Sequence, residues 1–478
     1  MDTHEWPPII QGGMGIGVSN WLLARSVSQA GQLGVVSGTG IDSVLLRRLQ
    51  DGDRGGHMLR ALAAAPWPKM AQSLVDRFYL PNGRTPGKPY ARLPLWTLNP
   101  HKFRTMFAML GGFVEVWLAK EKHSGLVGLN LLTKVTLPTL PILYGAMHAR
   151  VDAVLMGAGI PREIPGALDD LAQHHATQIR ADVVESTAKS PTWVHFDPSI
   201  WREQRTRDLP RPAFFPIIGA NSLALLMAKK ATGSIQGFVI EEPRAGGHNA
   251  PPRGPKRFDA EGQPLYSERD QVDYAALSRL GYPFWLAGGF GRANGLREAW
   301  GHGARGIQVG TLFAYCQESG LSTDVKTVLG RTLAQGPVEV FTDPLASPTG
   351  FPFKVAQIPG TLSDPDLYAK RTRICDVGYL RDMYMTPTGT IGFRCASEPV
   401  EDYVRKGGAA QDTINRKCLC NGLMAAVGYG QTQPSGPELP IITTGDGLTE
   451  IAALLGSTGT SYSARDVIHY LLGTSDNP

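Results

Sequence analysis

The 478-residue chain has little cysteine, little charge and no long apolar run. Five cysteines are too few for a disulfide-built protein and agree with a reducing compartment. Only 19% of residues are charged, and the 47 basic ones are scattered rather than ranged in a stripe, which argues against nucleic acid as a partner. The net charge of +5 suits an anionic cofactor or substrate instead. No apolar stretch nears the roughly 20 residues a membrane-spanning helix needs. Met1 to Pro8 has neither the basic nor the apolar region of a signal peptide, so a soluble cytoplasmic protein is expected. A dinucleotide fingerprint is missing too. Gly13, Gly15 and Gly17 follow a short apolar strand, but G-x-G-x-x-G is not met and no acidic residue follows at the right distance, which disfavours a Rossmann site.

What is present is a repeating plan. Pro8 to Ser19 reads as a strand and a glycine-rich turn, Asn20 to Gln32 as an amphipathic helix, and Leu33 to Gly40 as a strand and glycine loop again. Such repeats predict parallel strands joined by crossovers. The rhythm returns at Leu126–Leu132, Val151–Gly159, Ala213–Asn221, Phe238–Glu241, Tyr282–Gly291 and Ala304–Thr311. Two stretches break it and read as insertions, about 51–122 and 167–211, the second mainly helical with a strand at Thr192–Phe196. A domain over 1–325 followed by a C-terminal subdomain over 326–478 is expected.

The chemistry concentrates at strand ends. Phe238 to Glu241 reads as a buried strand that runs toward Ala245-Gly-Gly-His248, so an imidazole is presented where Gly246 and Gly247 leave the backbone bare. His248 is the first candidate for acid–base work, against a solvated loop histidine as the bland reading. Asn130 is polar inside an apolar strand, so it is either a structural bracket or a ligand contact. The last two strands both end in small residues: Gly288 and Gly289, then Gly310 and Thr311. In (β/α)8 barrels the loops after strands seven and eight often bind phosphate, and these four residues are the candidate cradle.

Taken together, Pro8-Ile-Ile-Gln11, Ala245-Gly-Gly-His248, Leu286-Ala-Gly-Gly289 and Gly306-Ile-Gln-Val-Gly-Thr311 resemble the nitronate monooxygenase (2-nitropropane dioxygenase) family over residues 7 to 320. The resemblance implies a TIM (β/α)8 barrel that binds FMN, its phosphate at Gly288, Gly289, Gly310 and Thr311. The ring system would then lie near Gln11, Gly12, Gly13, Met14, Asn130, Gly246, Gly247 and His248. It further implies that His248 removes a proton alpha to a nitro group or orients a nitronate, with O2 as a second substrate. Flavin enoyl reductases in the same wider group use NAD(P)H, and that is the rival enzyme reading. A flavin-binding subunit without turnover is a third, and a homo-oligomer is possible for any of them. The continuation Asn249-Ala-Pro-Pro and the two insertions depart from the family's pattern, which leaves the substrate open.

Beyond residue 320 the composition shifts. Thr342 to Lys354 is rich in turns and is placed back across the barrel mouth, where Lys354 either meets an anion or is simply a surface lysine. Cys375, Cys395, Cys418 and Cys420 cluster in this part. Four thiolates suit a tetrahedral zinc or an iron–sulfur cluster, but C-x-C with long gaps is no metal signature, so buried free thiols without metal are the preferred reading. Arg394, Lys406, Gly407 and Gly408 are candidates for a surface that closes over the substrate. Gly445 to Leu472 reads as two short helices that serve as packing.

Overall fold

The computed structural model describes residues 6–185, 191–203, 207–459 and 461–473. Eight parallel strands close into a barrel: β1 (Ile9–Gln11), β2 (Gly34–Ser37), β3 (Val127–Leu132), β4 (Ala153–Gly157), β5 (Ala213–Ile218), β6 (Phe238–Glu241), β7 (Phe284–Ala287) and β8 (Gly306–Val309). Each strand pairs with its neighbours in sequence order, and β8 returns to β1 with Ile9 opposite Ile307. The seam between β1 and β2 is held by Gln11 N–H to the Leu33 carbonyl at 3.0 Å and Leu33 N–H to the Ile9 carbonyl at 3.1 Å. A parallel strand with both faces covered is apolar where it is buried, which is why β6 up to Ile240 and the whole of β7 read as continuous apolar runs rather than alternating ones.

Inward-pointing side chains fill the barrel floor. Ile10, Val35, Leu155, Phe215, Val239 and Trp285 form one packed cluster, all at most 1% exposed. Trp6 lies edge-on to Phe215 at 4.9 Å, Phe215 edge-on to Trp285 at 5.4 Å, and Trp285 Nε1 donates to the Pro7 carbonyl at 3.0 Å. The stretch just before β1 therefore plugs the lower end, and the free space of the barrel lies at the opposite, C-terminal ends of the strands.

The outer ring departs from the expected partition. The helix Lys102–Lys120, the apolar part of the first supposed insertion, packs along the helices Trp21–Gln29, Ile41–Gln50 and Thr139–His148. Its residues from Arg104 to Val116 are all buried, so it belongs to the wall of the barrel. The region around 167–211 is not mainly helical. Thr177–Ala181 pairs antiparallel with Thr192–Phe196, and the helix Ile164–Ala172 precedes them. Thr177–Ala181 alternates buried and exposed residues over five positions, a strand pattern too short to stand out in sequence.

The C-terminal part is woven into the barrel as well. Its final helix, Ala464–Leu472, contacts both Trp21–Gln29 and Gly295–Gly301, the place of the eighth barrel helix. Residues between β8 and this helix thus form one long excursion over the mouth. Within it Val340–Asp343 pairs antiparallel with Phe353–Ala356. Ile391–Arg394 and Asp382–Met385 join Val183–Val184 in a three-stranded sheet. Among the described residues no helix is long and apolar enough to cross a membrane. Because Trp285 fills the floor and its indole N–H is satisfied there, Trp285→Ala is expected to lower the unfolding free energy by about 3–5 kcal/mol. Denaturant unfolding would measure it, and a loss below about 1 kcal/mol would mean the floor collapses without cost.

Candidate active site

The C-terminal strand ends surround a cavity of about 290 Å³, the size of a small-molecule site. It is lined by Gly12, Gly13, Met14, Asn130, Gly246, Gly247, His248, Gly288, Gly289, Gly310 and Thr311, residues drawn from five different strand ends. Gln11 is the exception among the residues singled out in the sequence. Its side chain is fully buried, donates to Ser19 Oγ at 2.8 Å and to the Gly12 carbonyl, and accepts from Val35 N–H at 2.9 Å. It braces the first loop from behind and does not face the cavity.

Two glycines are required by close approach. A Cβ on Gly246 would stand 2.7 Å from the carbonyl carbon of Thr444, because residues 443–446 cross directly over the Gly-Gly-His segment. Gly288 has φ +84°, and a Cβ there would come within 2.6 Å of the Glu242 carbonyl oxygen. The amides of Gly288 and Gly289 donate to no protein acceptor among the described residues, and the Arg244 side chain lies against Gly289. No carboxylate among the described residues pairs with Arg244. Thr311 Oγ1 accepts from Gly445 N–H at 3.0 Å.

His248 is held on both sides. The segment Gly247 to Asn249 runs antiparallel to Pro352–Lys354: Asn249 N–H donates to the Pro352 carbonyl at 2.9 Å and Lys354 N–H to the Gly247 carbonyl at 3.0 Å. Its Nε2 is 2.7 Å from Ser347 Oγ, and Phe353 lies edge-on to the ring at 4.9 Å. Burial, and then the nearby Lys134 charge, push its pKa down to about 3. The ring is accordingly a neutral imidazole at physiological pH.

Sequence reading missed several lining residues. Glu241 ends β6 at the cavity wall, and burial raises its pKa to about 7. Arg244, Arg292 and Gln308 also face the space. An acidic residue closing an apolar strand and a glutamine inside β8 were the available signals. Residues 441–447, which roof the cavity, carried none, since only the fold brings them there. Lys354 does not offer itself to an anion: its ammonium is buried on Asp446 at 2.7 Å and Thr342 Oγ1 at 2.9 Å. Arg394 pairs with Glu185 and Lys406 with Glu398, and neither lines the cavity. All five cysteines are free thiols, and no three thiol, imidazole or carboxylate groups among the described residues meet where one metal ion would sit.

No family model and no curated protein matches the chain. Solved structures do resemble it at low identity. FabK from Thermotoga maritima is 15% identical, covering 98% of this chain and 92% of that one, with a TM-score of 0.44. A nitroalkane oxidase from Streptomyces ansochromogenes is 14% identical over 98% and 95%, with a TM-score of 0.47. The enoyl reductase domain of MlnA, from the macrolactin cluster of Bacillus amyloliquefaciens, is 11% identical over 98% and 93%, with a TM-score of 0.48.

The neutral state of His248 has a consequence for stability. His148, against Trp67 and Tyr144, is likewise pushed down to about 3 by burial and then by His174. Both folded-state values lie below the roughly 6.5 of an unfolded histidine, so the stability they contribute is present above that pH and is lost as pH falls toward 3. Going from about pH 7.5 to about pH 5 should cost roughly 1–2 kcal/mol per histidine, and His248→Gln should remove one share of that loss. Urea unfolding at the two pH values measures it; an unchanged pH dependence in the variant would show that His248 is solvated.

Proposed function

We propose that this chain is a flavin-dependent oxidoreductase that holds FMN in the barrel mouth and oxidises a small electron-rich anion of the alkyl nitronate kind, with oxygen as second acceptor. The observation that carries this reading is the pairing of a glycine-lined recess containing Arg244 with a half-buried His248, held by Ser347 and Phe353, under one roof. The residues fit the cofactor. Arg244 and the amides of Gly288 and Gly289 would meet a phosphate, with Gly310 and Thr311 beside them. Gln308 Oε1 is buried without a donor, and a flavin ring carries an imide N–H able to satisfy it. Asn130, whose amide makes only a 3.5 Å contact to the Leu131 carbonyl, is free to serve the ring system.

Bound FMN would supply the electron acceptance that no side chain provides. The chain itself does three things. The roof formed by 441–447 and Phe353 covers part of the cavity. Arg244, which pairs with no carboxylate among the described residues, offers a cation to an anionic substrate or phosphate at the cavity wall. His248, with Nε2 engaged by Ser347 and a depressed basicity, orients an anion better than it strips a proton from carbon. An already ionised nitronate is therefore the better-supported substrate than the neutral nitroalkane.

The test is an anaerobic titration followed by visible absorbance. The purified protein should carry flavin, bleach on addition of an alkyl nitronate and recover its colour with air. Bleaching by NADPH alone would replace this reading with a reductase, and a protein that takes up no FMN would end it. His248→Ala should keep its flavin while losing at least about 10²-fold in turnover; unchanged turnover would remove His248 from the mechanism.

A further inference from the structure

The cavity has a stretch of wall that the proposed chemistry does not use. Val18, Leu321, Leu380, Leu423, Ala426 and Ile441 line it, and none has a polar side chain. Val18 belongs to the loop after β1, and the other five to the excursion between β8 and the final helix, with Leu423 and Ala426 on the helix Leu419–Ala426. Backbone bonds join them into one patch. Gly320 N–H donates to the Val18 carbonyl at 2.7 Å, Ser322 N–H to the Ala426 carbonyl at 3.0 Å, and Ile441 N–H to the Gly422 carbonyl at 3.0 Å.

The patch occupies its own sector of the rim. A Cβ on Gly17 would stand 3.5 Å from Val44 of the helix Ile41–Gln50 and 3.6 Å from Val427, so the patch rises over the loops after β1 and β2. Arg244, Gly288 and Gly289 stand instead beyond the ends of β6 and β7. Leu423 is only half-buried although Gly422 and Met424 on either side of it are buried, which leaves apolar surface open to the cavity. Tyr379 borders the patch, but its hydroxyl is already bound by Asp42 and, at 2.7 Å, by Ser43. The six side chains can offer a ligand nothing but apolar contact, so hydrocarbon is the chemistry that gains by lying there.

We propose that this patch binds an aliphatic tail of the substrate, so that the preferred anion is a longer-chain alkyl nitronate rather than the shortest one. The charged end lies toward His248 and the chain along Leu423 and Ile441. The identity of the reacting end rests on the nitronate reading above, whereas the tail site does not depend on it. Each methylene moved from water onto such a wall raises affinity roughly 3- to 4-fold.

Straight-chain carboxylates test the tail site without turnover, because a carboxylate shares the planar two-oxygen anion of a nitronate but gives no electrons to a flavin. Calorimetric titration of the full-length protein with acetate, butanoate, hexanoate and octanoate should show affinity rising roughly 3-fold per added methylene until the patch is filled. Leu423→Asp, which sets a charge on the wall, should flatten the series and keep its flavin. If that variant does not fold, Leu423→Ala should reduce the gain from hexanoate to octanoate. Affinity independent of chain length, or no binding of octanoate, overturns the proposal. So does a Leu423→Asp variant that loses its flavin and keeps the chain-length series, since the patch would then serve the cofactor. Octanoate bound with the expected increments by a protein that oxidises no nitronate supports the tail site and sinks the nitronate reading, so the two fail separately.

Discussion

The site depends on the short antiparallel ladder between Gly247–Asn249 and Pro352–Lys354, because it ties the active-site loop to the excursion that roofs it. Neither strip is stable alone. The loop after β6 has no strand or helix over Pro243–Pro251, and the hairpin partner Val340–Asp343 is tied to it through Phe353–Ala356 and through Thr342 N–H to Gln263 Oε1 at 2.8 Å. Further ties reinforce the ladder: Gly247 N–H to Thr443 Oγ1 at 2.8 Å, Asp446 N–H to the Arg244 carbonyl at 3.2 Å, and Lys354 to Asp446 at 2.7 Å. Each is worth about 1 kcal/mol net, so the roof is held by several modest bonds acting together.

From this closure follows the electrostatic character of the cavity. Burial lowers the basicity of His248 and raises the Glu241 carboxyl to about 7, and Arg244 and Arg292 stand at the same wall. The other charged groups at the wall are of both signs: Arg292 is paired with Glu298 and Asp446 with Lys354, and Glu450 accepts from Tyr470, which leaves Arg244 as the lining cation with no carboxylate partner among the described residues. An anion entering such a space is stabilised by the guanidiniums and restores basicity to the imidazole beside it.

Much of the barrel was legible because its signals are local. A strand buried on both faces, a glycine where the chain turns inward and a helix with its Asn20 cap each occupy a few consecutive residues, so β1, β6, β7 and β8 could be placed within two or three residues. The glycines and His248 of the cavity stood out for the same reason. Gln11 was misplaced because a glutamine at a strand end looks the same whether it braces a loop or meets a ligand. The roof was legible only in part: the turn-rich composition of Thr342 to Lys354 points that stretch back across the barrel mouth, where Phe353 does line the cavity, but Thr443 to Gly447 reach it only through long-range closure that nothing in their own spacing foretells. Lys354 reads as exposed or anion-binding until its burial against Asp446 is seen. The four cysteines are the extreme case, since C-x-C with gaps of about twenty residues gives no sign that three backbone segments bring them to one small cavity.

The central claim is that the recess at the ends of β7 and β8 takes the phosphate of a flavin, with Arg244 as its cation. Calorimetric titration of the flavin-free protein with FMN and with riboflavin, which lacks only that phosphate, tests this most directly. The account predicts that FMN binds at least about 100-fold tighter, the worth of two or three charge-assisted hydrogen bonds, and that Arg244→Ala narrows the gap. Equal affinity for the two, or binding of neither, would contradict it.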